Sequence, residues 1–260
     1  MDKVLEEMEF LALSANRVDV LRLVAKAPQT RAELQAETGA SQPTLGRILR
    51  DFETRRWVQT DAGTYTATAT GRLVADGLSE LYASLETDHQ LRDLVDWLPV
   101  DELTFDLRAL NGATITVPTQ TRPSAPVTRV IDLVESATRV SVLSHAFNEQ
   151  TLRAVTDWVT SGGTFSGVFS KAAIEPVADD AVLAQQLRTL LAADTARIRI
   201  YDGPVPLAVT VTDTRVSLLL RDDAGRLEAA IDTDNETVRS WATDVYQQYD
   251  EQAEPLSMDR

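Results

Sequence analysis

The hydrophobic residues of the first part of the chain recur every three to four positions, which is the spacing of one face of an α-helix. One stripe spans residues 4–12, the next spans 18–25, and a third spans 45–52. Ser14-Ala-Asn16 separates the first two stripes, and Ala27-Pro28 ends the second. The pattern predicts three amphipathic helices in this part of the chain.

The residues between the second and third stripes carry helix-capping signals. Thr30-Arg-Ala-Glu33 has the sequence of a capping box, in which Thr30 begins a helix and Glu33 bonds back to it. Gly39 suits the left-handed position that ends a helix, and Ser41 suits the start of the next one, with Pro43 in its first turn. These signals predict a short helix that is followed directly by another.

Two β-prone runs come next, at residues 57–60 and 64–68, with Asp61-Ala-Gly63 as the turn between them. The hydrophobic stripe of a long helix then covers residues 70–97, and Pro99 ends it. The order helix, capped helix, turn, helix and hairpin is that of a winged helix-turn-helix.

The remainder alternates strand-like with helix-like runs. Strands are predicted at 113–117, 140–143, 165–169, 196–201, 207–211, 216–220 and 227–231, and helices at 126–137, 149–160, 181–193 and 237–252. The alternation favours a parallel sheet covered by helices, and the short turns between the last three strands favour an antiparallel finish. The predicted fold class is α/β with two domains, a winged helix-turn-helix and a C-terminal mixed, mainly parallel α/β sheet domain. The expected boundaries are 1–69 for the DNA-binding domain, 70–105 for a long connecting helix and linker, and 106–260 for a sensor or dimerisation domain.

Charge changes the picture in one respect. The chain of 260 residues has 40 acidic residues against 25 Lys and Arg, for a formal net charge of −15. Residues 1–80 carry 12 of the acidic and 10 of the basic side chains, so the acid excess falls on the rest of the chain. Only three basic residues are Lys, and the composition resembles that of proteins from halophiles that keep molar salt inside the cell. The nearly neutral N-terminal part remains compatible with binding to nucleic acid.

Composition also excludes several kinds of chemistry. The chain has no cysteine, which excludes disulfides and thiolate metal sites, and it has only two histidines, His89 and His145. We therefore predict no metal and no cofactor. No apolar stretch is long enough to span a bilayer, and the first ten residues lack the basic and apolar regions of a signal peptide. We expect a cytoplasmic protein without a membrane partner.

The candidate DNA contacts lie on the helix after the turn, which presents polar side chains to the major groove in this motif. The candidates are Ser41, Gln42, Thr44, Arg47 and Arg50, with Arg55 and Arg56 on or near the same side. Gln42 can read adenine, and Arg47 can read guanine, each through two hydrogen bonds.

Further contacts are predicted outside this helix. Thr30 and Arg31, at the start of the bracing helix, are candidates for phosphate binding. Gly63 and Thr64, in the hairpin, are candidates for contacts with the DNA backbone or the minor groove. The alternative is that the arginines are only solvated or paired with nearby carboxylates, and that the winged helix binds proteins.

A resemblance to known regulators strengthens the first interpretation. Residues 15–24 and 39–53 resemble haloarchaeal helix-turn-helix regulators. Residues 201–206, 211–213 and the helix with Trp241…Tyr246…Tyr249 resemble the middle domain of archaeal methanogenesis regulators, with a more distant similarity to TrmB-type sugar-sensing regulators. The resemblance implies a transcription regulator that binds double-stranded DNA as a homodimer.

Domains of this kind also resemble degenerate phospholipase D folds. An active version needs His-x-Lys-x4-Asp, in which the histidine attacks phosphorus and the lysine holds its oxygens. The chain reads His145-Ala-Phe-Asn148 and lacks that lysine. We predict no catalytic residues and no enzymatic activity, and a phosphodiester-processing enzyme that depends on His145 is the least favoured reading.

A ligand site is the remaining expectation for the second domain, because open α/β sheets bind ligands beyond the carboxyl ends of their strands. These ends carry Ser144, His145, Ser170, Lys171 and Tyr201. They are candidate ligand-binding residues for a small-molecule effector, or else plain surface residues at strand ends.

Taken together, the sequence predicts a homodimeric transcription regulator with dimer surfaces on the long helix 70–97 and on the last helix. The alternative from another class is an acidic adaptor that uses its winged helix as a protein-binding module.

Overall fold

The computed structural model of the protein describes residues 2–146, 149–222 and 224–256. The chain divides into two compact units, Met1–Glu86 and Thr87–Arg260, and the division falls within one helix, Ala69–Leu91. The boundaries at residues 69 and 105 stay predictions. Among the described residues, no helix combines the length and the apolar character that crossing a membrane requires.

The first unit contains the predicted winged helix-turn-helix. Its elements are α1 (Asp2–Ala12), α2 (Ala15–Lys26), β1 (Gln29–Thr30), α3 (Arg31–Thr38), α4 (Gln42–Thr54), β2 (Val58–Asp61), β3 (Thr64–Ala67) and the first part of α5 (Ala69–Leu91). The strands form an antiparallel sheet in the order β1-β3-β2. The predicted helices and hairpin are confirmed, whereas β1 was not predicted because two residues are too few to show a pattern.

The predicted caps are present at the start of α3 and on both sides of the turn between α3 and α4. Thr30 and Glu33 form the complete capping box at the start of α3, and Gly39 ends that helix in the left-handed conformation with φ 65°. The Ser41 side chain accepts a hydrogen bond from the backbone N–H of Thr44 at 3.3 Å, which fixes the start of α4. Local sequence therefore determines where α4 begins.

The core of the first unit includes a cluster of three aromatic rings. The ring centroids of Phe10, Phe52 and Trp57 lie 5.8–6.2 Å apart. The guanidinium groups of Arg17 and Arg55 lie 4.0 and 3.7 Å from the centroid of the Phe10 ring, and Arg55 Nε also donates to Glu7 Oε2 at 2.6 Å. These contacts hold α1 against the end of α4, so Arg55 contributes to packing and not to the exposed face expected from sequence.

Helix α5 begins in close contact with the backbone of Trp57, the residue before β2. A Cβ atom on Gly71 would lie 1.9 Å from the carbonyl oxygen of Trp57, so no larger residue fits there without movement. The Thr68 hydroxyl accepts a hydrogen bond from the Gly71 N–H at 3.0 Å. Beyond Leu91 the predicted long helix continues only as a 3-10 segment, Arg92–Trp97.

The second unit is built on one large sheet. Its elements are a 3-10 turn (Leu107–Leu110), β4 (Thr114–Thr116), α6 (Ala125–Glu135), β5 (Arg139–Ser144), α7 (Glu149–Thr160), β6 (Thr164–Ser170), α8 (Lys171–Asp179), α9 (Ala181–Leu191), β7 (Ala196–Tyr201), β8 (Ala208–Thr212), β9 (Val216–Arg221), β10 (Leu227–Thr233), α10 (Glu236–Gln252) and β11 (Glu254–Pro255). The helix α8 was not predicted, because Pro176 inside it reads as a breaker in sequence.

The sheet has eight strands in the order β11-β7-β6-β5-β8-β9-β10-β4. Only the pairs β5–β6 and β6–β7 are parallel, and every other pair among these described strands is antiparallel. A mixed α/β sheet is confirmed, but the expectation that it is mainly parallel is wrong. The helices between β5, β6 and β7 give crossovers, whereas the short turns after β8 and β9 impose antiparallel pairing.

Helices cover both faces of this sheet. Helix α10 packs on one face with Leu143 and Val168, and α6, α7 and α9 pack on the other with Val140 and Phe165. The apolar residues of α10, including Trp241 and Tyr246, are buried against the sheet. The expectation that the last helix offers a dimer surface is therefore corrected, because its apolar stripe is already used within the unit.

One carboxylate is fully buried within this sheet. Asp232 in β10 is 0% exposed and accepts hydrogen bonds from Arg129 of α6 at 2.8 Å and from Arg215 at 2.7 Å. The same bond raises the pKa of the Arg129 guanidinium. The cluster joins residues 103 positions apart in sequence and so ties α6 to β10.

Candidate functional site

The polar face of α4 is the first candidate site. Leu45, Ile48, Leu49 and Phe52 are buried on one side of this helix. Ser41, Gln42, Arg47 and Arg50 are exposed on the other side, and Thr44 is half-buried. The 3.6-residue period thus separates the two sets as the sequence predicted.

The two arginines of this face are free to bind a partner. Among the residues that the structure describes, neither Arg47 nor Arg50 gives its guanidinium to a hydrogen bond or an ion pair. Arg55 differs, because it is bound to Glu7 and to the carbonyl oxygen of Asp51. Two unpaired guanidinium groups, one helical turn apart, are therefore available for carboxylate-like or phosphate-like oxygens and for base edges.

The start of α4 is more constrained. Gln42 donates through its side-chain amide to Oε1 of Gln35 on the bracing helix, and Ser41 and Thr44 share a hydrogen bond between their hydroxyl groups at 2.9 Å. Gln42 must release Gln35 before its amide can pair with a base. The Ser41 hydroxyl is occupied by its capping role.

The start of α3 does not suit a phosphate in this conformation. The Glu33 carboxylate accepts hydrogen bonds from the backbone N–H of Thr30 at 2.7 Å and from the Thr30 hydroxyl at 2.8 Å. These bonds, the backbone one first, lower the pKa of Glu33, so a negative charge already occupies this helix N-terminus. Arg31 turns instead toward the wing and donates to the Tyr65 hydroxyl at 3.1 Å.

The wing is short and tightly turned. Ala62 and Gly63 at its tip have φ values of 47° and 80°, as two-residue hairpin turns require. Gly63 is exposed and Thr64 is half-exposed, so both are accessible to a partner. Asp61, also exposed, adds a negative charge beside them.

The strand ends of the second unit form the other candidate site, and here the structure separates the predicted residues. Ser144 lies on the face of the sheet covered by α6 and α7, two positions after Val142. Ser170 and Tyr201 are paired across β6 and β7 and lie on the opposite face, where the Tyr201 ring contacts that of Tyr249 at 4.8 Å. Side chains alternate between faces along a strand, which the strand-end rule does not take into account.

The remaining two residues of the predicted set are also apart. Lys171 is exposed as the first residue of α8. His145 is half-buried, and its Nδ1 atom has no hydrogen-bond partner among the described residues. Burial, and next the nearby charge of Arg221, lower the pKa of His145, while a hydrogen bond to the backbone of Val205 acts in the opposite direction.

Arg221 is the residue that the sequence interpretation missed. It ends β9 and points to the same face as Ser217 and Leu219, toward α6 and α7. The period-two pattern of Ser217, Leu219 and Arg221 along the strand is the signal that marks this face. The segment that lacks the lysine of the phospholipase D motif ends at Asn148. This residue lies outside the described residues.

A winged helix-turn-helix joined in one chain to a mixed α/β sheet unit defines a two-domain, winged-helix regulatory protein. Residues 123–252, half of the chain, match the family described as "Methanogenesis regulatory protein FilR1, middle domain". The chain belongs to this family, as the resemblance in the sequence implied. Residues 5–90 match a second family, the HVO_A0261 N-terminal domain.

Solved structures give more remote similarities. The archaeal chromatin protein TrmBL2, described as showing a novel mode of DNA binding, is 16% identical with a TM-score of 0.46 over 96% of each chain. The phospholipase D family member Nuc from Salmonella typhimurium is 15% identical with a TM-score of 0.45, over 56% of this chain and 99% of its own. NucT from Helicobacter pylori is 14% identical with a TM-score of 0.44, over 55% and 98%. No curated protein matches the chain.

Proposed function

We propose that this protein is a transcription regulator that binds double-stranded DNA in a sequence-specific manner through α4. The observation that carries the proposal is the pair of unpaired guanidinium groups, Arg47 and Arg50, on the exposed face of a capped helix that follows a tight turn and precedes a wing. This is the arrangement by which winged helices enter the major groove. Membership of a family of regulatory proteins supports it.

The residues have different roles in this proposal. Arg47 reads a guanine and Arg50 contacts a base or a neighbouring phosphate. Gln42 reads an adenine after leaving Gln35. Gly63 and Thr64 approach the DNA backbone. Arg31, which lies beside the wing, contacts the backbone as well. We leave Thr30 out of the proposed surface, because the Glu33 carboxylate occupies the position that a phosphate would need.

The salt concentration determines which contacts contribute most to the proposed DNA binding. If the protein works in molar salt, as its acid excess suggests, release of counterions from DNA contributes little to affinity. Hydrogen bonds to base edges then carry a larger share of the binding free energy than phosphate contacts do. Substitution of a base-reading arginine should therefore matter more than substitution of an arginine elsewhere on the same unit.

The test starts from a pool of random duplexes, because the operator is unknown. Selection of bound duplexes in molar KCl should enrich one sequence, and fluorescence anisotropy should then measure the affinity for it. We expect Arg47→Ala to weaken binding by about 10- to 100-fold, as expected for a lost bidentate base contact. Arg72→Ala, which removes an exposed arginine from α5 of the same unit, should leave the affinity within about twofold.

Two outcomes would favour the adaptor function. In the first, no duplex sequence is enriched. In the second, a duplex is enriched but Arg47→Ala and Arg72→Ala bind it equally well. In either case a capture experiment with the intact protein, with and without Arg47→Ala, becomes the next step.

We further propose that the protein is a homodimer that uses α5. The apolar stripe that packs into the core at Val74 and Leu78 continues along this helix as Leu81 and Leu85, which are 43% and 58% exposed. A stripe of leucines that continues beyond the part of the helix packed against the core is typical of a helix that pairs with another copy of the chain. Sedimentation should give a dimer, which Leu85→Glu dissociates and Val182→Glu, a change at a 62% exposed position on α9, leaves intact. A wild-type monomer at micromolar concentration would overturn this proposal.

A further inference from the structure

A cavity lies between the sheet and the helices α6 and α7 of the second unit. Its volume is about 60 Å³. The walls are mainly apolar and come from both helices, from α9 through Leu190, and from four strands, β5, β6, β8 and β9. They include Val130, Val142, Phe165, Phe169 and Leu219. Three hydroxyl-bearing residues, Ser144, Thr151 and Thr210, complete the lining together with one cation. The space suits the body of a small apolar molecule.

Arg221 is that cation, and it is half-buried. Its Nη1 donates to the carbonyl oxygen of Gly225 at 2.8 Å, but its buried Nε has no hydrogen-bond partner among the described residues. No carboxylate in the part of the chain that the structure describes forms an ion pair with it. Burial lowers the pKa of its guanidinium, because a charged group is less stable away from water.

That Arg221 has no carboxylate partner among the described residues is unusual in this acidic unit. Other part-buried arginines of this unit are paired with carboxylates. Arg129 and Arg215 both bind Asp232, and Arg199 of β7 lies 3.6 Å from Asp250. Asp222, the next residue in the chain, binds Arg226 and not Arg221. The Asp222 carboxylate accepts from Nε of Arg226 at 2.7 Å and from the backbone N–H of Arg226 at 2.8 Å. Arg221 therefore retains hydrogen-bonding capacity and a positive charge at the end of an apolar cavity.

The neighbouring polar groups do not fill this role. The Ser144 hydroxyl donates to the carbonyl oxygen of Ala146 at 2.9 Å. His145, which interacts with the charge of Arg221, carries no negative charge in either protonation state. An anion would accept a hydrogen bond from Nε of Arg221 and would also balance its charge.

We propose that this cavity binds a short-chain aliphatic monocarboxylate, with the carboxylate on Arg221 and the alkyl chain among the side chains of α6, α7 and the sheet. A planar carboxylate matches the fork of a guanidinium group. A cavity of this volume holds on the order of two to four carbon atoms, given that a 150 Å³ cavity holds a benzene molecule. A phosphate or a sugar phosphate fits less well, because the walls offer one cation and few donors.

The proposal does not depend on DNA binding, and its test uses the full-length protein without DNA. Ligand-observed NMR with butyrate in molar KCl should show binding in the millimolar range or tighter. Arg221→Gln should raise the dissociation constant by about 10- to 100-fold, because a charge-assisted hydrogen bond is lost. Arg226→Gln, in the same turn but bound to Asp222, should leave it unchanged. Both variants should keep the wild-type circular dichroism spectrum and unfolding temperature.

The ligand series tests each half of the proposed contact. Butan-1-ol lacks the carboxylate and phosphate lacks the chain, so both should bind at least tenfold more weakly than butyrate. Ala208→Leu fills the cavity while Arg221 is retained, and it should abolish butyrate binding. The proposal is overturned if butyrate does not bind the wild-type protein, if Arg221→Gln binds it as well as the wild type does, or if phosphate binds as tightly as butyrate.

Discussion

The two units of this protein place their candidate sites on different kinds of surface. In the first unit the site is the outer face of one helix, and its residues lie within ten positions of one another. In the second unit the cavity is lined by three helices and four strands, and its residues span Val127 to Arg221. A site on one helix follows from local periodicity. A site enclosed by a sheet depends on strand order and on which face each side chain occupies.

The largest expected effect tests whether the second unit depends on long-range contacts as this comparison implies. Asp232→Asn removes the buried charge that Arg129 and Arg215 share, and we expect it to lower the free energy of unfolding by about 3 kcal/mol. This is the low end of the range for breaking buried ion pairs, because the two arginine side chains are 31% and 26% exposed and can reach water. Chemical denaturation in constant KCl measures the change.

Asp234→Asn is the matched control for this variant. Its side chain is 77% exposed and lies 3.7 Å from Arg215, so we expect a change below about 0.5 kcal/mol. Equal stabilities of the two variants would mean that the buried cluster does not hold α6 to the sheet.

The second prediction tests whether the stability of the first unit depends on close contacts made by α5. Gly71→Ala places a Cβ against the Trp57 carbonyl and should destabilise this unit by about 2 kcal/mol, because the backbone of α5 must shift. Gly77→Ala, in the same helix with no atom within 4 Å of the added Cβ, should stabilise it by about 0.5–1 kcal/mol. Thermal unfolding followed by differential scanning calorimetry measures both. If Gly71→Ala also stabilised the unit, the close approach would be unimportant.

The smallest effect concerns acid. The Asp213 carboxylate accepts a hydrogen bond from the backbone N–H of Thr138, which is the main cause of its lowered pKa, and further bonds from the Thr138 hydroxyl and the Arg139 N–H. Its contribution to stability is complete above the pKa of the unfolded state, about 4, and is lost as the pH falls through the lower pKa of the folded state. Asp213→Asn should therefore flatten the fall in stability below that pH. An unchanged slope in acid titrations followed by circular dichroism would contradict this account.

Much of the fold follows from sequence, and the exceptions have identifiable causes. The helices, the caps at Thr30 and Ser41 and the polar face of α4 are local, so the spacing of residues predicts them. The pairing of β5 with β8 and the contact of Arg55 with Phe10 join segments that no local pattern relates. The predicted ligand residues do not form one cluster for a similar reason, since the adjacent ends of β5 and β6 place Ser144 and Ser170 on opposite faces of the sheet.

The contact between Arg55 and α1 has a consequence for tolerance of ionic strength. The ion pair of Arg55 with Glu7 is partly exposed and weakens as dissolved ions screen it. The stacking of the same guanidinium on Phe10, 3.7 Å from the ring centroid, depends on polarisable surfaces in contact and on water leaving them. Low salt strengthens the ion pair with Glu7, and high salt leaves the stacking on Phe10 in place. Arg55 therefore contributes to the attachment of α1 at both low and high ionic strength.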